Sequence, residues 1–152
     1  MGPKIRSLVE YWHARCEGGR LPRREMIAPA DLKALLPTLF LVDCPTRDDR
    51  DWVYRLIGTE IAEREGFDKT GKCVRDYFTG SAWPLLRAEY IMCMDENRPV
   101  YRADTALDRV SRDSFEFERI FLPLASDGEN VDKIIGVVEF LPFGTVDSRM
   151  IA

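Results

Sequence analysis

The four cysteines and the single histidine are the side chains that could hold a zinc ion through sulfur or imidazole nitrogen. The cysteines are Cys16, Cys44, Cys73 and Cys93, and the histidine is His13. No two cysteines are separated by only two residues, whereas a structural zinc site needs about four soft ligands at close spacing. The spacing therefore predicts reduced cysteines, as in cytoplasmic proteins, and no metal site.

Acid–base and nucleophilic catalysis also find little support in the sequence. The chain has one histidine, no Gly-x-Ser-x-Gly nucleophile motif and no phosphate-binding glycine loop. The carboxylates of Asp48, Asp49 and Asp51 lie in one charged segment, which is more typical of a solvated loop than of a metal or acid–base site. We therefore expect a protein that is not an enzyme.

Two arginines stand out because each interrupts a predicted apolar strand. Arg55 follows Tyr54, and Arg119 lies in the aromatic run that begins at residue 115. A buried guanidinium must be paired, and Glu116 and Glu118 are candidate partners. The alternative is a position at the rim of the sheet, where the apolar stem is covered and the charged end reaches water.

Aromatic and apolar side chains around Arg119 form a candidate ligand site. A set of aromatic rings with a few polar groups is typical of a pocket for an organic ligand, and tyrosine hydroxyls with an arginine could orient an acidic or amide-bearing molecule. The alternative is that the same rings simply fill the core, because protein interiors pack at crystal-like density. The candidate ligand-binding residues are Tyr54, Leu56, Trp83, Leu86, Tyr90, Cys93, Phe117, Arg119 and Phe121.

Hydrophobic periodicity predicts the elements that carry these residues. Residues 52–57 alternate as a strand does, which puts Tyr54 and Leu56 on one face. A Gly-Thr turn then leads into a short helix over 60–65, and a longer helix begins after Ser81. The other predicted strands are 38–44, 100–107, 115–124 and 133–141, and a further short helix begins at Pro29.

The first segment, residues 4–17, predicts an amphipathic helix. A helix this short is not stable alone, so its apolar face must dock on the sheet, on a second copy of the chain, or on both. Three arginines follow at 20, 23 and 24, too few in an acidic chain to predict binding to lipid or nucleic acid. The candidate self-association interface comprises Ile5, Leu8, Val9 and Trp12.

Composition narrows the class of protein further. With 152 residues and 45% hydrophobic content, the chain can fill the core of one domain. Its formal net charge of -4 argues against broad nucleic-acid binding, which needs clustered cations. No apolar run approaches the roughly 20 residues that span a membrane, and the charged first segment is not typical of a secretory signal. We expect a cytoplasmic protein.

Two strands, a helical insert and three strands predict an α+β fold with a five-stranded antiparallel sheet. This order resembles the PAS domain and, more closely, the small single-domain bacterial PAS-like family called PAS_5. The matching stretches are Tyr11-Trp12, Gly19-Arg20 with Pro22 and Arg24, Leu36-Pro37, Phe40-Leu41-Val42-Asp43, residues 54–59 with Gly66, Gly71-Lys72, Leu122-Pro123-Leu124 and Ile134-Ile135-Gly136. We divide the chain into an N-terminal helical extension (1–37), a PAS core (38–144) and a tail (145–152).

The resemblance raises the question of a flavin or haem cofactor. Flavin photosensors of the LOV type place a reactive cysteine in an Asn-Cys-Arg-Phe-Leu-Gln setting, whereas Cys73 lies in Gly-Lys-Cys-Val-Arg-Asp. Haem PAS sensors present a histidine from or near the long helix, and this helix has Tyr90 and Cys93 instead. Although cysteine and tyrosine can ligate haem iron, we expect neither cofactor and leave open a small organic ligand.

The resemblance also implies a signalling role. We expect a non-catalytic sensory or regulatory module that acts through protein–protein interaction. Its partners would be a second copy in a homodimer and a signalling protein acting in trans, and a small molecule in the pocket could tune the binding. The alternative is a metabolite-binding protein in which ligand capture is the primary role.

Overall fold

The computed structural model describes residues 1–78, 80–108 and 110–141, which form three α-helices and five β-strands. Single-turn 3₁₀ helices lie in the connections, and the short helix expected from Pro29 is two such turns, Pro29–Leu32 and Leu36–Thr38. The elements are α1 (Pro3–His13), β1 (Leu39–Asp43), β2 (Val53–Ile57), α2 (Thr59–Glu65), α3 (Ala82–Glu96), β3 (Val100–Leu107), β4 (Ser114–Leu124) and β5 (Lys133–Leu141).

The strands form one antiparallel sheet in the order β2-β1-β5-β4-β3. Helices α2 and α3 lie in sequence between β2 and β3, as the alternation of apolar residues predicted. The fold class, α+β with a helical insert and an N-terminal helix, is confirmed. None of the helices in the described part of the chain is long and apolar enough to cross a membrane.

Two glycines allow close approach of neighbouring elements. A side chain at Gly58 would collide with the backbone carbonyls of Leu36 and Pro37, so this glycine lets the end of β2 pass beside the entry to β1. A side chain at Gly136 would collide with the ring of Phe40 and the carbonyl of Ile120. Gly136 therefore lets the Phe40 ring approach the backbone of β5 closely.

A β-bulge changes which residues of β2 share a face. Leu41 pairs with Leu56, but the next residue of β1, Val42, pairs with Tyr54, which leaves Arg55 as an extra residue. The bulge shifts the two-residue alternation of the strand. The prediction that Tyr54 and Leu56 lie on one face is therefore wrong.

Helix α1 packs on the outer face of the sheet, against β4 and β5. Ile5, Leu8 and Trp12 are buried, Val9 is half-buried, and the Trp12 indole N–H donates to the Pro123 carbonyl at 2.8 Å. The sequence left open whether this helix docks on the sheet, on a second copy of the chain, or on both. The structure shows it docked on the sheet of its own chain. Self-association through these four residues stays a prediction.

Two carboxylates of the outer sheet face hold the N-terminus of α1. The backbone N–H of Gly2 donates to Glu118 at 3.0 Å, and that of Lys4 donates to Glu139 at 3.3 Å. Glu118 and Glu139 are neighbours in the β4–β5 register. Carboxylates at this position satisfy N–H groups that lack partners in the helix and interact favourably with its dipole.

The division into extension, core and tail also stays a prediction. The tail expected at 145–152, and the last three residues expected in the core, lie outside the described residues.

Candidate ligand-binding site

A cavity of about 180 Å³ lies between the inner face of the sheet and the helical insert. Its wall combines side chains from the strands with others from α2, α3 and the segment that joins these helices. Aliphatic positions, two cations and one carboxylate complete a wall that is otherwise aromatic. The aromatic members are Phe40, Tyr54, Phe78, Tyr90, Phe115, Phe117, Phe121 and Phe140.

Six of the nine predicted ligand-binding residues line this cavity, and three do not. The strand alternation explains the members on β4, since every second residue faces the helices. On α3, Leu86 and Tyr90 are four residues apart and share one face. The six are Tyr54, Leu86, Tyr90, Phe117, Arg119 and Phe121, and a role in ligand binding stays a prediction for all nine.

The other three predicted residues lie outside the described wall. The β2 bulge takes Leu56 to the opposite side from Tyr54. Trp83 does not line the cavity, but its ring stacks on that of Phe78, which does, at 6.3 Å between ring centroids. Cys93 is fully buried in α3 without lining the cavity, and burial raises the pKa of its thiol.

Arg119 is paired with a carboxylate that the sequence did not suggest. Its guanidinium donates to Glu89 of α3, and Arg102 of β3 donates to the other oxygen of the same carboxylate. Glu116 and Glu118, the predicted partners, cannot reach it because neighbouring residues of a strand point to opposite faces. Burial lowers the pKa of Arg119, and the Glu89 carboxylate opposes this shift.

Arg55, in contrast, occupies the rim position given as its alternative. Its side chain is 62% exposed and pairs with Asp43 on β1. It takes no part in the cavity, because the bulge leaves it as the extra residue at the sheet edge.

Lys69 is the cavity residue that the sequence analysis missed and the structure makes prominent. Its side chain is 2% exposed, and its Nζ lies 3.5 Å from Glu65 Oε2. The same Nζ lies 5.3 Å, 5.3 Å and 5.0 Å from the ring centroids of Tyr54, Tyr77 and Phe78. Cation–π attraction of this kind, together with the carboxylate, offsets the cost of burying the ammonium.

Two of the other missed wall residues had usable signals. Phe115 continues the two-residue alternation of Phe117, Arg119 and Phe121 along β4, and Phe140 does the same on β5. Lys69 had none, because lysine is rarely fully buried and lies here in a polar loop after Gly66. The missed wall residues are Phe40, Ile57, Ile61, Glu65, Lys69, Phe78, Ala106, Phe115, Val138 and Phe140.

The four cysteines are all unpaired with one another. Burial raises the pKa of Cys44 to about 12, so its thiol is protonated and inert at neutral pH. The Cys73 sulfur lies 3.6 Å from the carbonyl oxygens of Asp49 and Arg50, away from the described cavity wall. Among the residues that the structure describes, no three His, Cys, Asp or Glu side chains are grouped so as to hold a metal ion.

Sequence similarity shows the family to which this chain belongs. The profile of the PAS_5 family, described as a PAS domain, matches residues 2–139. This chain belongs to the PAS-domain family. The match covers α1 as well as the sheet, and PAS domains are in general sensory modules. No protein of curated function shows significant sequence similarity to this PAS domain.

Solved structures with the same fold include light-oxygen-voltage (LOV) proteins and a sensor histidine kinase. A Rhodobacter sphaeroides LOV protein shares 15% identity over 80% of this chain and 84% of its own, with a TM-score of 0.55. A light-oxygen-voltage domain studied with a flavin analogue shares 11% identity over 75% and 84%, with a TM-score of 0.57. A sensory box sensor histidine kinase from Vibrio cholerae shares 14% identity over 76% and 89%, with a TM-score of 0.54. At these identities the likeness shows the fold alone.

Proposed function

We propose that this PAS domain is a non-catalytic sensory module that binds a small organic molecule in the cavity and signals through protein–protein contacts, including contacts with a second copy. The observation that carries the proposal is the aromatic cavity with Lys69 and Arg119 in its wall. If these side chains only filled the core, apolar residues would fill it at a lower cost in free energy than Lys69 and Arg119. The reason is that burying a charge requires its desolvation.

A flavin is a poor candidate for the bound molecule, although the light-oxygen-voltage domain compared above was studied with a flavin analogue. The cavity of about 180 Å³ is close in size to an engineered cavity of about 150 Å³ that holds benzene. The flavin ring system has three fused rings. Cys73 also faces the loop carbonyls of Asp49 and Arg50 instead of the cavity, so it is not placed to react with a ligand there.

Contacts on both faces of β4 offer a route from the cavity to the surface. Arg119 lines the cavity and is tied to α3 through Glu89. The preceding residue, Glu118, lies on the outer face, where it accepts from Gly2 at the start of α1 and from the Tyr101 hydroxyl. A ligand that moves Arg119 therefore acts on the strand that anchors α1. Such a ligand shifts the association equilibrium only by the difference in its affinity for the two states.

Sedimentation velocity across a dilution series tests the proposal, with a variant that fills the cavity. Ala106 lines the cavity from β3, and the next residue, Leu107, points to solvent. We expect the wild type to self-associate and Ala106→Phe to change the dimer dissociation constant by about fivefold or more, the usual lower limit of allosteric coupling. Leu107→Phe is the matched control and leaves the constant unchanged.

Other outcomes contradict the proposal. If all three proteins sediment as monomers at every concentration, self-association is excluded as the signalling output. A dimer with the same dissociation constant in the wild type and Ala106→Phe disconnects the cavity from association, and a bound molecule in that case favours the alternative of a metabolite-binding protein.

A further inference from the structure

We propose, as an extension that rests on the function proposed above, that the ligand is an organic anion with a single aromatic ring, bound with its acidic group towards Lys69 and Arg119. Neither the family match nor the similar structures assign this ligand class. Three properties of the cavity lead to it: its size, the aromatic character of its wall, and the sign of the charge on that wall.

The volume of the cavity matches about one ring. A volume of about 180 Å³ is slightly larger than the roughly 150 Å³ known to hold benzene in a dry engineered cavity. It lies below the roughly 300 Å³ at which pockets for drug-sized molecules begin. A benzene ring with one small substituent fits these limits.

The aromatic wall favours a flat ring as the body of the ligand. Tyr90 and Phe121 lie 4.5 Å apart between ring centroids, and Phe40 meets Phe121 edge to face at 5.7 Å. Rings prefer such offset and edge-to-face arrangements, in which a further ring adds area and favourable geometry. An aliphatic chain would bury apolar area in the cavity but would not gain the favourable ring–ring geometry.

The charge on the wall favours an anion. Lys69 and Arg119 are the two cations of the wall, and Glu65 is its one carboxylate among the described residues. Arg119 has a partner in Glu89, but that carboxylate is shared with Arg102 and is not part of the wall. The side chain that faces the cavity is therefore the guanidinium.

Lys69 is suited to hold the acidic group. Its Nζ–Oε2 distance of 3.5 Å to Glu65 exceeds the roughly 2.7–2.9 Å of a charge-assisted hydrogen bond. An ammonium is a compact positive charge with three donors, and a ligand carboxylate is an acceptor that matches that charge. The rings of Tyr54 and Phe78 flank this nitrogen and also line the cavity, which places the charged group at the edge of the aromatic wall.

Fluorine NMR titration with two matched probes tests the ligand class on protein freed of small molecules by unfolding and refolding. The probes are para-fluorobenzoate, an anion, and para-fluorobenzamide, a neutral molecule of nearly the same shape. We expect fluorobenzoate to bind about tenfold more tightly, the effect of about 1.4 kcal/mol from one charged hydrogen bond. Lys69→Met keeps the apolar stem and removes the charge, and we expect it to abolish this preference.

Two further variants separate recognition from general damage to the fold. Lys72→Met changes an exposed lysine of the same loop, and we expect wild-type affinities for both probes. Glu65→Gln removes the carboxylate that competes for Lys69, and we expect tighter binding of fluorobenzoate. A purely structural role of the Lys69–Glu65 pair predicts the opposite, weaker binding in Glu65→Gln.

The outcomes distinguish this inference from the proposed function. Equal affinity for the two probes, or a preference that survives Lys69→Met, overturns the anion assignment and leaves the cavity as a ligand site. Failure of both probes to bind overturns the ligand class as a whole. Neither result bears on the effect of Ala106→Phe on self-association, which tests the proposed function separately.

Discussion

Arg119 on β4 and Glu89 on α3 form an ion pair across the inner face of the sheet, beside the candidate ligand cavity. The Glu89 carboxylate also pairs with Arg102 on β3, which in turn contacts Asp104 at 3.2 Å. One buried carboxylate therefore joins the long helix to two neighbouring strands. Arg119 is therefore linked to α3 by an ion pair as well as by the ring contact between Tyr90 and Phe121.

Removal of the Glu89 charge should destabilise the fold strongly. Glu89→Gln leaves two guanidiniums, each only 16% exposed, without their shared counter-charge. We expect a loss of about 3 kcal/mol in the free energy of unfolding, the lower part of the range for breaking a buried pair. Urea denaturation measures it, and Glu96→Gln, which removes an exposed pair with Arg98, should cost less than about 1 kcal/mol. Equal losses would contradict the account.

Trp12 should stabilise the docking of α1 by two separable contributions. Trp12→Phe keeps most of the buried ring and removes the hydrogen bond to the Pro123 carbonyl, at a cost of about 1 kcal/mol. Trp12→Ala also empties the buried site, at about 3–5 kcal/mol. His13→Ala, at the exposed neighbouring position, is the control in urea denaturation.

The same Trp12→Ala variant should weaken self-association, because a helix that is no longer held on the sheet cannot present an ordered surface. Sedimentation velocity across a dilution series measures the effect. A sedimentation coefficient that follows the wild-type curve at every concentration would refute this prediction.

Gly136 should not tolerate a side chain. Gly136→Ala drives a methyl group into the Phe40 ring and the Ile120 carbonyl, and a backbone carbonyl in a central strand cannot move away. We expect a loss of about 1–3 kcal/mol from overpacking, measured by urea denaturation. Gly19→Ala is the control for backbone strain alone, since Gly19 has a φ of 79° and no atom within 4 Å of the added methyl group. A loss at Gly136 no larger than at Gly19 would contradict the clash.

Asp127 should contribute to the loss of stability in acid. Its carboxylate accepts hydrogen bonds from the side chain and backbone of Asn130 and the backbone N–H of Glu129, and these bonds lower its pKa from 3.8 to about 2. A pKa lower in the folded than in the unfolded chain gives stability that is complete above about pH 4 and is lost as the pH falls towards 2. Urea midpoints from pH 5 to 2 should therefore fall less steeply in Asp127→Asn. Parallel curves for the two proteins would contradict this.

The sheet was predictable because its signals are local. Alternating side chains over 115–124 and glycine or polar turns around each strand indicate β-structure without knowledge of the partner strands. The alternation also assigned Phe117, Arg119 and Phe121 to one face. Phe115 belongs to the same series, so the pattern could have found it.

Other parts of the site depend on tertiary structure and could not be predicted. The bulge at Arg55 can be recognised only from the pairing of β1 with β2. This bulge places Leu56 on the face opposite to the one predicted. Glu89 reaches Arg119 because α3 packs against β4. The spacing of the two residues in the sequence does not predict this contact. Lys69 is buried because three rings and Glu65 surround it, although its loop is polar.

Native mass spectrometry of the purified protein, followed by denaturing extraction, tests the central claim that the cavity behind α3 holds a small organic molecule. We predict one non-covalently bound molecule per chain in the wild type and in Leu107→Phe, released on denaturation and absent from Ala106→Phe. A wild-type protein with nothing bound, or a molecule retained equally by Ala106→Phe, would contradict the claim.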